Sequence, residues 1–137
     1  MLAPVLAALS AGLIGVLGSV HLLYTFHGCK LHPRDGNLRS KLETASLVLT
    51  RETTMWKAWI GFNASHSLGL MLFGAIYGYL ALAQSQLLFR SRFLLLTGFM
   101  TLVAYAYLGK RYWFSVPFRG ILLAGVLYVA GIVAGLS

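Results

Sequence analysis

The sequence predicts an all-α integral membrane protein, a four-helix transmembrane bundle with a short amphipathic helix on its cytoplasmic side. Three observations predict it. Four apolar runs are each close to the roughly 20 helical residues needed to cross a hydrocarbon core. Charged residues make up only 10% of the chain and fall between those runs, whereas soluble domains carry about 25%. Tryptophan and tyrosine gather at the ends of the runs, as interfacial belts do.

The spans are expected at about residues 4–26, 56–83, 93–109 and 116–136, within a single transmembrane domain covering residues 1–137. The first run resembles a signal peptide in position only. No charged side chain precedes Lys30, and the run exceeds an ordinary h-region, so it reads as a retained span. Pro117 suits the first turn of the fourth span, where a missing N–H costs nothing. The pairs Gly74/Gly78 and Gly131/Gly135 have the small-xxx-small spacing that lets helix backbones approach. They favour a compact bundle or a homo-oligomer.

Charge sets an orientation. Lys30, Arg34, Arg39, Lys41, Arg51 and Lys57 surround the first connection, and Lys110, Arg111 and Arg119 the third; the second holds only Arg90 and Arg92. The positive-inside rule therefore places the first and third connections in the cytoplasm and both termini outside. Trp56, Trp59, Tyr112 and Trp113 are expected at the inner interface, Tyr77 and Tyr79 at the outer one. The net charge of +8 lines no single face, so the partner implied is the lipid bilayer and not nucleic acid.

The first connection has structure of its own. His32-Pro33-Arg34-Asp35-Gly36-Asn37 reads as a turn. Leu38, Leu42, Ala45 and Leu49 follow at helical spacing, with Arg39, Lys41 and Glu43 between them. An amphipathic helix over about residues 37–50 is expected, lying on the inner leaflet or packed on the end of the bundle.

Ionisable residues inside a span are functional candidates. His21 lies near the cytoplasmic end of the first span, and Asn63 and His66 enter the second from the same side. At about 1.5 Å per residue they share a depth of roughly 9–15 Å. Asn63, His66 and Ser67 form one helical stripe, and Thr97, Thr101 and Tyr105 another. Hydrocarbon satisfies no polar group, so the stripes should turn inward and meet. The expectation is a polar intramembrane pocket lined by His21, Asn63, His66, Ser67, Thr101 and Tyr105, with Tyr24 and Tyr128 nearby.

Other motifs carry less. Asn63-Ala64-Ser65 has the form of a glycosylation sequon but lies within a span. Cys29 is the sole cysteine, which excludes an internal disulfide. His27, Cys29 and His32 do not have a structural zinc spacing, and a fourth ligand is missing. GxSxG, HExxH and P-loop motifs are absent, and Asp35, Glu43 and Glu52 all lie in the first connection, so no span carries a carboxylate.

The segments His21-Leu-Leu-Tyr-Thr-Phe, Lys30-Leu-His-Pro-Arg-Asp35 and Trp59-Ile-Gly-Phe-Asn-Ala-Ser-His-Ser67 resemble a group of small four-span membrane proteins of bacterial genomes with no established activity. The resemblance covers a little under half of the chain and implies a bacterial inner-membrane setting. Three roles fit the polar residues. One is structural, within a non-enzymatic accessory or interaction protein with a protein partner. The second is a ligand, ion or proton site. The third is a cofactor site, with His21 and His66 holding haem or a metal.

Overall fold

A computed structural model describes residues 2–136, all helical apart from short connections. The elements are α1 (Leu2–Phe26), α2 (Gly36–Thr44), α3 (Met55–Ala83), α4 (Ser85–Arg90), α5 (Arg92–Tyr112) and α6 (Ser115–Leu136). Four helices are long and apolar enough to cross a membrane: α1, α3, α5 and the Ser115–Gly135 stretch of α6. The protein is an integral membrane protein built on these four helices.

The chain divides into two compact units, one containing Gly18–Gly69 and the other the residues up to Leu17 and from Leu70 onward. The latter unit is packed by small residues. On α1, Ala3, Ala7, Ser10, Ala11 and Ile14 recur at helical spacing and are buried. Ser10 Oγ donates to the Ala124 carbonyl of α6 at 2.7 Å. A Cβ on Gly131 would lie 3.2 Å from the Ala3 carbonyl oxygen, and one on Gly74 would lie 2.7 Å from Gly15 Cα. Gly74 and Gly131 therefore serve contacts within the chain, the backbone approach for which their spacing is suited.

Two buried tyrosines fasten α5. The hydroxyl of Tyr77 on α3 donates to the Leu94 carbonyl at 2.8 Å, and that of Tyr128 on α6 donates to the Leu95 carbonyl at 3.2 Å. Gly98 leaves the space they occupy, since a Cβ there would meet both rings. Tyr77, expected at the outer interface, has a ring buried among the helices and stacked on Phe73 at 4.5 Å. Tyr79 is exposed, as an interfacial residue would be.

The Gly18–Gly69 unit holds the first connection. α1 ends with His27 N–H donating to the Leu23 carbonyl, followed by Gly28 at φ 86°, the left-handed conformation that glycine adopts without strain. Asp35 caps α2 by accepting from the Asn37 N–H at 2.9 Å. α2 stops at Thr44 and does not continue to residue 50. Thr44, Val48, Thr50, Thr53 and Thr54 are β-branched and lose side-chain freedom in a helix. The chain turns extended at Ala45, and a Ser46–Thr54 antiparallel bridge closes a loop, with Met55 N–H donating to the Ala45 carbonyl at 2.8 Å. Two further features were not expected: the short α4 in the second connection, and the extension of α5 through Lys110 and Arg111. Cations are favourable at a helix C-terminus, so these residues prolong the helix beyond the apolar run.

Candidate functional site

The polar residues of α1 and α3 meet within the Gly18–Gly69 unit. Asn63 Nδ2 donates to the Trp59 carbonyl one turn earlier at 2.8 Å. A carbonyl only accepts, so this bond fixes the orientation of the Asn63 amide and leaves Oδ1 facing α1. His21 Nε2 lies 3.0 Å from that oxygen. The contact is a hydrogen bond only if Nε2 carries a proton, so His21 Nε2–H donates to Asn63 Oδ1. His66 packs against His21 edge to face, with ring centroids 5.4 Å apart and planes at 89°.

The hydroxyls turn to their own helices. Ser67 Oγ, fully buried, donates to the Asn63 carbonyl at 2.8 Å. Thr25 Oγ1 donates to the His21 carbonyl at 2.8 Å. Bonding to the carbonyl four residues earlier satisfies a hydroxyl without any partner helix. A serine or threonine in a helical stripe therefore need not turn toward a neighbouring helix.

His21, Asn63, His66 and Ser67 are thus brought together. Thr101, Tyr105 and Tyr128 belong to the other unit. Thr101 Oγ1 donates to the Thr97 carbonyl of its own helix at 2.8 Å. Tyr105 packs on the apolar core, and Tyr128 is spent on α5. Tyr24 lies under Lys30, whose Nζ is 4.7 Å from the ring centroid.

A second cluster, which sequence reasoning treated as turn and interface, fastens the first connection to α3. Trp59 Nε1–H donates to the Leu31 carbonyl at 3.1 Å. Arg39 Nη1 donates to His32 Nδ1 at 2.9 Å, since a guanidinium only donates. His32 stands edge to face on Trp56 at 5.0 Å, and the Arg39 guanidinium lies 5.1 Å from the same ring system. Arg39 also pairs with Glu43 at 3.0 Å. Leu31, His32, Pro33, Leu42, Trp56 and Trp59 line an open, largely apolar groove of about 290 Å³. The signal available in the sequence was the Trp56/Trp59 pair, three apart on one helical face beside a basic turn.

The ligand chemistry is constrained. Among the described residues no group of three or more His, Cys, Asp or Glu side chains is placed to hold a metal ion. Axial haem ligation needs an unprotonated nitrogen on each imidazole and a porphyrin plane between the rings. Here the two rings meet edge to face with centroids 5.4 Å apart, which leaves no room for a porphyrin plane between them. No protein-family model, curated protein or solved structure matches the chain.

Proposed function

We propose that the protein is a non-enzymatic accessory or interaction protein of a bacterial inner membrane. In this reading the His21–Asn63–His66 contact is an interhelical polar lock. The first and third connections face the cytoplasm, and residues 2 and 136 lie on the outer side. One observation carries the reading: the polar side chains of the cluster bond to each other and to their own helices, at His21–Asn63, Asn63–Trp59 and Ser67–Asn63. A cluster satisfied in this way fixes helix register, and its bonds do not call for a substrate. The inner-membrane setting rests on the resemblance of the His21–Tyr79 region, and the orientation on the excess of cations in the first and third connections.

The test is gentle solubilisation of native membrane followed by affinity purification of the full chain. A protein partner recovered in stoichiometric amount supports the accessory role. Recovery no different from that of an unrelated four-span protein overturns it. A second reading, a proton or ligand site, is favoured by the direct contact of two half-buried imidazoles. His66→Ala separates the two. A structural role predicts lower thermal stability with any flux unchanged, and a pathway predicts loss of flux. A Soret band in the purified protein would establish haem.

A further inference from the structure

The loop after α2 presents its apolar residues outward. Val48 and Leu49 are 110% and 91% exposed, and Leu47 beside them is only half-buried. The loop is nevertheless built to hold a shape. The Ser46–Thr54 bridge and the Met55–Ala45 hydrogen bond close its base, and Glu52 N–H donates to Thr50 Oγ1 at 3.1 Å. Single exposed apolar side chains are ordinary, but consecutive ones on a braced tip mark a contact surface.

The surroundings point to lipid. The base of the loop runs directly into Met55, the exposed first residue of a membrane-spanning helix, so the tip stands close along the chain to where that helix enters the bilayer. Leu49 lies three residues beyond the bridge, at most about 10 Å from it in extended chain. The headgroup layer is roughly 5–8 Å deep on each side of the hydrocarbon, so the tip is within reach of it. The nearby charge has the matching sign. Arg39, Lys41, Arg51 and Lys57 stand against Glu43 and Glu52, and Glu43 is already paired with Arg39. Cations beside an apolar tip favour an anionic leaflet.

We infer that Leu47–Leu49 is an interfacial anchor, inserted at the headgroup–acyl boundary of an anionic leaflet on the side of the first connection. The tip fixes the first connection against the bilayer independently of any partner protein and of which face is cytoplasmic. The experiment uses the full chain carrying Cys29→Ser with Val48→Cys or Leu49→Cys, labelled with a polarity-sensitive fluorophore. The labelled protein is placed in nanodiscs of phosphatidylcholine and phosphatidylglycerol. Insertion predicts blue-shifted emission, quenching by lipids brominated near the headgroup end of the chain, and protection from aqueous iodide. Iodide quenching as strong as on an unfolded labelled peptide, with no bromolipid quenching, overturns the inference. A label open to iodide in nanodiscs but shielded in native-membrane vesicles assigns the tip to a protein partner and overturns it equally. Because both tip positions are fully exposed, the substitutions leave the packed helices untouched.

Discussion

At Gly98 one added methyl group has nowhere to go. A Cβ there would lie 2.7 Å from Tyr128 Cζ and 2.7 Å from Tyr77 Cε1, and closer still to the Tyr128 hydroxyl. Both rings are buried and both are held by hydrogen bonds to α5. Overpacking of this kind costs about 1–3 kcal/mol. Gly98→Ala should therefore lower the midpoint of thermal unfolding in detergent, and Tyr128→Phe in the same chain should recover part of the loss. The recovery is partial because Cζ of the residue 128 ring, which phenylalanine keeps, and Cε1 of Tyr77 both remain at 2.7 Å. The His21–Asn63 hydrogen bond makes a smaller contribution. Asn63→Leu removes the bond to His21, and interhelical bonds in membranes average about 0.6 kcal/mol, with a maximum near ~1.7. A double-mutant cycle of Asn63→Leu with His21→Phe should give a coupling of that size. Coupling near zero would show that the 3.0 Å contact does not fasten the helices. The meeting of α1 and α3 was legible in the sequence because His21 is expected at the same depth as Asn63 and His66, which share one face of α3. The bond made by Thr101 was not, because a threonine looks identical in sequence whether it reaches across to another helix or back to its own. Tyr77 and Tyr128 hid in the same way: a phenol ring suits a bilayer interface and a buried carbonyl equally well.

The helices were legible as elements because the bilayer imposes length and composition together. The four apolar runs correspond to α1, α3, α5 and α6, with ends moved by a few residues where polar or cationic side chains continue the backbone pattern. α2 was half legible. Its start is set by the Asp35 cap, but its end is set by a β-branched run and a bridge between residues eight apart, which an apolar periodicity passes over. The approach of α1 and α3 yields an asymmetric prediction. A Cβ on Gly74 would meet backbone only: Gly15 Cα at 2.7 Å, the Ala11 carbonyl oxygen at 2.9 Å and Gly15 N at 2.9 Å. A Cβ on Gly15 would meet Gly74 Cα at 3.6 Å, an ordinary contact. Backbone cannot rotate aside as a side chain can. Gly74→Ala should cost about 1–3 kcal/mol by forcing the helices apart, and Gly15→Ala should stay within about 0.5 kcal/mol. Circular dichroism melts of the two variants in one detergent check the order, and equal midpoints would contradict the packing described.

For the whole molecule, the bilayer-spanning helices and the charge on their connections have to agree. Membrane insertion is governed by cations in short flanking segments, with acidic residues contributing little. The count here is nine Lys and Arg around the first and third connections against Arg90 and Arg92 at the second. The chain carries its own reporter, since Cys29 is exposed in the first connection and is the sole cysteine. In intact bacterial cells a membrane-impermeant maleimide added outside should leave Cys29 unlabelled and should react once the inner membrane is permeabilised. In a Cys29→Ser background, Gln84→Cys, exposed between α3 and α4, should react from outside without permeabilisation. The two sites report opposite faces only if α3 crosses the membrane once, so a pair labelled from the same side would contradict the span as well as the orientation. Reversed labelling, with Cys29 open and residue 84 closed, would leave the four spans in place. It would mean that the charge of the connections does not decide which way this protein faces.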